Sequence, residues 1–149
     1  PSAPTLQGRR VLAVDDRFAC AVPERGLYSF SSFVGTSDIG FRFPRMYLGG
    51  MELGEWDDLH RAGSLARAHQ ISTPCLIVHS ETDLRCPIEQ AEQLFTILAA
   101  NGVDVEMLRF PGGSHELSRS GKPQHRRARF DAIIEWCGRY LSAPADVTT

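Results

Sequence analysis

The chain has 149 residues, 42% of them hydrophobic and 23% charged, with a formal net charge of −2 and an isoelectric point near 6.2. This is the composition of an ordinary globular domain with one core, and it carries no basic footprint for nucleic acid or an anionic membrane. No apolar run reaches the length of a membrane span, and no secretory signal opens the chain. Cys20, Cys75, Cys86 and Cys137 show no CxxC spacing; Cys75 and Cys137 sit among apolar residues and read as buried thiols in a reducing, cytoplasmic setting.

Pro1 to Arg10 combines two prolines with a glycine and no periodicity, so the first 11 residues read as a loose leader. Phe18 to Val22 is a short apolar run, a predicted strand that enters the polar turn Pro23-Glu24-Arg25-Gly26. Leu27 to Gly54 is irregular and aromatic, with Tyr28, Phe30, Phe33, Phe41, Phe43 and Tyr47 interleaved with Ser and Gly. It reads as a long loop whose rings pin it to the core, or as a wall of an apolar ligand pocket. Glu55 to Gln70 is helical in pieces, anchored by Leu59 and Leu65 and broken at Gly63. His60 and His69 lack partners at metal-ligand spacing and read as surface or packing residues.

The informative stretch runs from Ile71 to His115. Cys75-Leu76-Ile77-Val78 is a run of strand formers bounded by Pro74 and polar residues, and Glu81, Thr82 and Asp83 fall on the loop after it. Pro87 pre-sets the backbone for a helix. Ala91, Leu94, Phe95 and Leu98 follow at helical spacing, and Asn101-Gly102 is a stop signal, giving a helix over Pro87–Ala100. Val105 to Phe110 is a second strand, after which the Gly112-Gly113 turn delivers His115. A helix between two strands implies a right-handed parallel crossover. It places both loops on one edge of the sheet, where open α/β sheets do their chemistry. After a loop from Glu116 to Pro123, the basic run His125 to Arg129 reads as a solvated face. The closing helix, Arg127–Leu141, sets Phe130, Ile133, Ile134, Cys137, Tyr140 and Leu141 on one stripe that should cover the sheet.

A serine hydrolase needs an imidazole to take the proton of its nucleophile and a carboxylate to hold that imidazole in the correct tautomer. In α/β-hydrolases the chain order is nucleophile, acid, histidine, with the last two on loops after successive strands. Asp83 and His115 stand in that order, 32 positions apart. His79 would break the order and reads as structural. The tight turn that presents a serine in this fold carries the pattern G-x-S-x-G. Gly35-Thr36-Ser37-Asp38-Ile39-Gly40 misses it by one place, and Gly113-Ser114-His115 lacks the closing glycine.

The segments TPCLIVHSETDLRCPIEQAEQLF, LRFPGGSHELSRSGKP and IIEWCGRYL, with DRFACAV and SFVGTSDIG upstream, resemble the prolyl oligopeptidase family of serine peptidases, in its acylaminoacyl-peptidase-like branch. The resemblance covers roughly Leu12 to Leu141. It implies an α/β fold, the C-terminal portion of an α/β-hydrolase domain over residues 12–142, with a parallel sheet flanked by helices and with residues 143–149 a tail. It implies Asp83 as triad acid and His115 as base, and Phe33 and Ser37 as substrate contacts. It makes Val11–Val14 the tail of the helix that follows the nucleophile and Phe18–Val22 the next strand, so that the elbow and oxyanion hole lie upstream of residue 12. The implied substrate is a short or acylated peptide, with no metal and no organic cofactor. The strand beside Phe18–Val22 would be absent, leaving an open edge liable to self-association. A carboxylesterase or lipase on the same fold and a non-catalytic α/β binding or assembly module are the other two readings.

Overall fold

The sequence makes Cys75–Ser80 the most apolar strand of the chain, and in the structure this strand, β1, is buried at all six positions. That is how a parallel strand covered on both faces reads. The structure, a computed structural model, describes residues 15–49 and 54–141. The leader, the expected helix tail at Val11–Val14 and the tail from Ser142 onward lie outside the described residues.

β1 pairs in parallel with β2, Val105–Phe110, in the register Cys75 with Val105 through Ser80 with Phe110. The crossover between them is α4, Glu89–Ala100. Its expected first turn is a lead-in, in which the Pro87 carbonyl accepts from the Gln90 N–H. On the other side of β1, residues 21–24 run parallel to it through isolated bridges at Ala21 with Cys75 and Glu24 with Val78. The third strand expected at Phe18–Val22 is therefore displaced toward the turn and too sparsely paired to form a regular ladder; Phe18 is exposed.

The alternation of β1 sorts its side chains between two cores. Cys75 and Ile77 pack with Ala91, Leu94 and Leu98 of α4 and with Tyr28. Leu76 and Val78 pack on the opposite face with Phe110, Leu117 and Trp136. Trp136 belongs to the closing helix α6, Pro123–Leu141, which begins four residues earlier than expected, with Pro123 as its first residue. The short helix α5, Leu117–Ser120, occupies the stretch expected to be loop.

The face that α6 buries matches the predicted stripe only in part: Ile133, Cys137 and Tyr140 are half-buried. Phe130, Ile134 and Leu141 are exposed, while Trp136 is 1% exposed. The inward row is His125, Arg129, Ala132, Trp136 and Tyr140, at i, i+4, i+7, i+11 and i+15. A buried indole removes more apolar surface than the aliphatic side chains of the predicted stripe, and Tyr140, which belongs to both rows, lies tilted beside it with ring centroids 5.1 Å apart. The basic run is correspondingly not a wholly solvated face. His125 lies against the Phe110 ring at 5.4 Å, and the Arg129 guanidinium pairs with Glu24 at 2.8 Å.

The stretch from Leu27 to Gly54, expected to be irregular, contains α1, Phe30–Thr36, and α2, Phe43–Tyr47. Ser29 caps α1 by accepting from the Ser32 N–H. With α3, Trp56–Ala62, these helices enclose a third core of Leu27, Phe30, Phe33, Val34, Leu59 and Cys86. Gly63 does end α3, and a 3-10 helix at Ser64–Gln70 follows. Buried Gln90 fastens this lobe to α4. Its Oε1 accepts from the Tyr28 and Ser29 N–H groups, both at 2.8 Å, and its Nε2 donates to the Ser29 carbonyl at 3.1 Å. Among the described residues no helix is long and apolar enough to cross a membrane.

Candidate active site

β1 ends at Ser80 and β2 at Phe110, which are paired, so the loops that follow emerge side by side. The first loop turns on Asp83. One of its oxygens, Oδ1, accepts from the Arg85 N–H at 2.9 Å and the Cys86 N–H at 2.8 Å. This is the local aspartate turn that short acidic side chains form readily. The other, Oδ2, lies 2.8 Å from Nδ1 of His115. A carboxylate only accepts, so Nδ1 is the donor and Nε2 is left as the basic nitrogen. The Asp83 side chain is fully buried, whereas 29% of the His115 side chain is exposed. His115 opens on a cleft of about 200 Å³ lined also by Asp38, Thr82, Leu84, Arg85, Ser114 and Glu116.

The two loops are fastened to each other. The Gly113 carbonyl accepts from the Thr82 N–H at 3.0 Å and from the Thr82 hydroxyl at 2.7 Å. Glu81 N–H donates to the Phe110 carbonyl. The turn that permits this needs its glycines. Gly112 has φ +65°, and a Cβ on Gly113 would lie 2.9 Å from Ser80 Oγ and 3.2 Å from the Phe110 carbonyl oxygen.

His79, on the rival assignment a base, is fully buried and holds the Cys86 carbonyl through Nε2 at 2.7 Å. It therefore braces the acid loop from below, with Nε2 3.7 Å from Asp83 Oδ2. His60 and His69 are exposed.

Ser37 and Phe33 separate. Phe33 is 1% exposed and its ring meets Phe43 edge-on at 5.0 Å, so it presents no free surface to a ligand. Its helix has turned it into the third core, where the sequence suggested a pocket wall. Ser37 lies nearer the cleft, but its hydroxyl donates to the Arg85 carbonyl at 2.7 Å and accepts from the Ile39 N–H at 3.2 Å. Asp38 beside it forms a two-point pair with Arg85, at 2.7 and 3.2 Å, and the Arg85 guanidinium holds the Asp38 carboxyl below the usual carboxylate range. The end of α1 is thus tied to the acid loop by one hydroxyl and one ion pair. Asp38, Arg85 and Thr82 at this cleft were not singled out in the sequence, where each reads as an ordinary polar loop residue. The same holds for Arg25, whose guanidinium reaches the His115 carbonyl at 2.7 Å.

A parallel strand, acid loop, crossover helix, strand and histidine loop, with helices packed on both faces, define a portion of an α/β-hydrolase domain. The chain belongs to the prolyl oligopeptidase family, whose model matches residues 10–144. The uncharacterized peptidase YuxL of Bacillus subtilis is 40% identical over 131 residues, which cover 88% of this chain and 20% of that protein. The acylamino-acid-releasing enzyme of Arabidopsis thaliana is 30% identical over 84% of this chain and 17% of its own length. Among solved structures, uncomplexed Pyrococcus horikoshii acylaminoacyl peptidase superposes with a TM-score of 0.83 at 27% identity, over 93% of this chain and 23% of that one. The chain therefore spans about a fifth of the length of the relatives it matches.

Proposed function

We propose that this chain carries the acid and the base of a serine peptidase site that acts on short or acylated peptides. The observation that carries the proposal is the 2.8 Å contact between buried Asp83 and cleft-facing His115. In this mechanism Asp83 holds the imidazole with Nε2 free. Nε2 takes the proton of a serine hydroxyl as that oxygen attacks the scissile carbonyl. The imidazolium then gives the proton to the leaving amine, and the same cycle with water releases the acyl group. The serine and the oxyanion donors come from outside these 149 residues. In support, the Ser37 hydroxyl is engaged with the Arg85 carbonyl, and the Ser114 hydroxyl accepts from the Glu116 N–H at 3.3 Å. The names of the Arabidopsis and Pyrococcus relatives favour peptides with an acylated N-terminus over simple esters.

The test is a chimera in which this chain replaces the aligned segment of the Bacillus subtilis relative. Acylaminoacyl-naphthylamides and p-nitrophenyl esters are assayed in parallel, with the unsubstituted host as control. Hydrolysis of the amides supports the proposal. Turnover of esters alone would make the protein a carboxylesterase. A folded chimera that turns over neither, beside an active host, would leave a binding or assembly module. The isolated 149-residue chain should form no adduct with a fluorophosphonate probe by intact mass.

A further inference from the structure

The corner that follows the Ala21–Glu24 segment is built with unusual care. Glu24 is bridged to Val78 of β1 and held from α6 by both arms of the Arg129 guanidinium, at 2.8 and 2.5 Å, with both side chains largely buried. The next residue, Arg25, donates its N–H to the Val78 carbonyl at 3.1 Å and adopts φ +46°. It is the one non-glycine with positive φ among the described residues. That conformation crowds a Cβ against the following carbonyl. Glycine would take it freely, and the chain has a glycine one place later. Strain of this kind persists where the surroundings over-determine it, and it points toward a use for the side chain. The use is visible: the turn sends the guanidinium across 90 positions of sequence to the His115 main-chain oxygen, which accepts from Nη1 at 2.7 Å.

We infer that Arg25 is a positioning residue for His115, which rests on reading His115 as the base. The histidine loop has two fixed points on either side of Ser114. Thr82 holds the Gly113 carbonyl and Arg25 holds the His115 carbonyl. Together they set the direction in which the His115 side chain leaves the backbone, and so its alignment on Asp83 Oδ2. Arg25 touches no reacting atom; it acts through the main chain of the base.

The ¹⁵N-labelled 149-residue chain, its Arg25→Gly, Arg25→Gln and Arg25→Lys variants, and a thermal melt of each provide the test. The readout is the exchange rate of the His115 Nδ1 proton. Glycine relieves the positive φ and removes the tether, glutamine removes the charged donor, and lysine keeps a charged donor of similar reach. Loss of a charged hydrogen bond to the base loop should speed Nδ1 proton exchange about tenfold in the Gly and Gln variants. The Lys variant should stay near the parent, and the Gly variant should melt no lower than the Gln variant. Exchange unchanged in the Gly and Gln variants would overturn the inference, as would equally fast exchange in the Lys variant. Since no hydrolysis is measured, failure here is distinct from failure of the peptidase proposal. An Arg25-dependent His115 in a protein that cleaves nothing would sink the peptidase proposal while showing that Arg25 still positions the His115 ring.

Discussion

Asp83 meets His115 through one carboxylate oxygen while the other is fully occupied by two backbone N–H groups of its own loop. The acid is thereby fixed by its own loop as well as by the histidine. Asp83→Asn preserves the shape but can turn an NH₂ toward Nδ1, which selects the wrong imidazole tautomer. Asp83→Ala in addition orphans the Arg85 and Cys86 N–H groups. In an active chimera Asp83→Asn should lower kcat about 10⁴-fold. Equilibrium denaturation should show Asp83→Ala destabilised by roughly 1–4 kcal/mol, more than the Asn variant, as one buried and one part-buried donor go unpaired. Equal stability of the two variants would mean that water satisfies those donors.

The Thr82–Gly113 clamp predicts a coupled pair of effects. Thr82→Val removes the 2.7 Å hydroxyl bond but keeps the N–H, and should cost about 1 kcal/mol. Gly113→Ala pushes a methyl to 2.9 Å from Ser80 Oγ and should cost roughly 1–3 kcal/mol. Ser80→Ala should recover part of the Gly113→Ala loss in a double-mutant cycle, since it removes the atom in the way. Additive losses would show that the obstacle is the Phe110 carbonyl or the Ser80 Cβ, both at 3.2 Å, and not the hydroxyl.

How much of this was legible in the sequence depended on whether burial was two-sided or one-sided. β1 could be read because both its faces are covered, which leaves an unbroken apolar run. α4 could be read because Pro87 and Asn101-Gly102 bracket it. The face of α6 could be read only in part: Ile133, Cys137 and Tyr140 do turn inward, but the pocket around Trp136 rotates the helix so that Phe130, Ile134 and Leu141 are exposed. α1 and α2 were missed although Phe30, Phe33 and Val34 stand at i, i+3 and i+4 and Phe43 and Tyr47 at i and i+4, because helices of seven and five residues are too short to repeat the period, and the Gln90 amide that fastens the start of α1 acts across space. At the cleft, Asp83 and His115 stood out by chain order and family wording. Asp38, Thr82, Arg85 and Arg25 act through main-chain carbonyls and one another, and such roles leave no residue-type signature. Phe33 misled because an aromatic beside a polar loop looks the same in sequence whether it faces a ligand or the core.

Burial at the centre of β1 gives the protein an alkaline limit. The Cys75 thiol is pushed up to about 12, first by burial and then by the neighbouring Cys20. Its folded pKa lies above the unfolded value of 9.0, so the buried neutral thiol contributes stability that is fully present below pH 9 and lost as pH rises toward about 12. Between pH 8 and pH 10.5 this single group should remove about 2 kcal/mol of unfolding free energy. Denaturant titrations at the two pH values should show that extra loss in the parent and not in Cys75→Ala. An identical pH slope in both would mean that the thiol ionises freely in the native state.

The central claim, that His115 serves as base to a serine held elsewhere in the catalytic domain, is tested most directly by fluorophosphonate labelling of the Bacillus subtilis chimera and its His115→Ala variant, with the modified residue located by peptide mass. One serine contributed by the host should be labelled, and His115→Ala, still folded by circular dichroism, should slow labelling by about 10⁴-fold or more. Labelling of the His115→Ala chimera at the parent rate, or adduct on Ser37 or Ser114, would contradict the assignment.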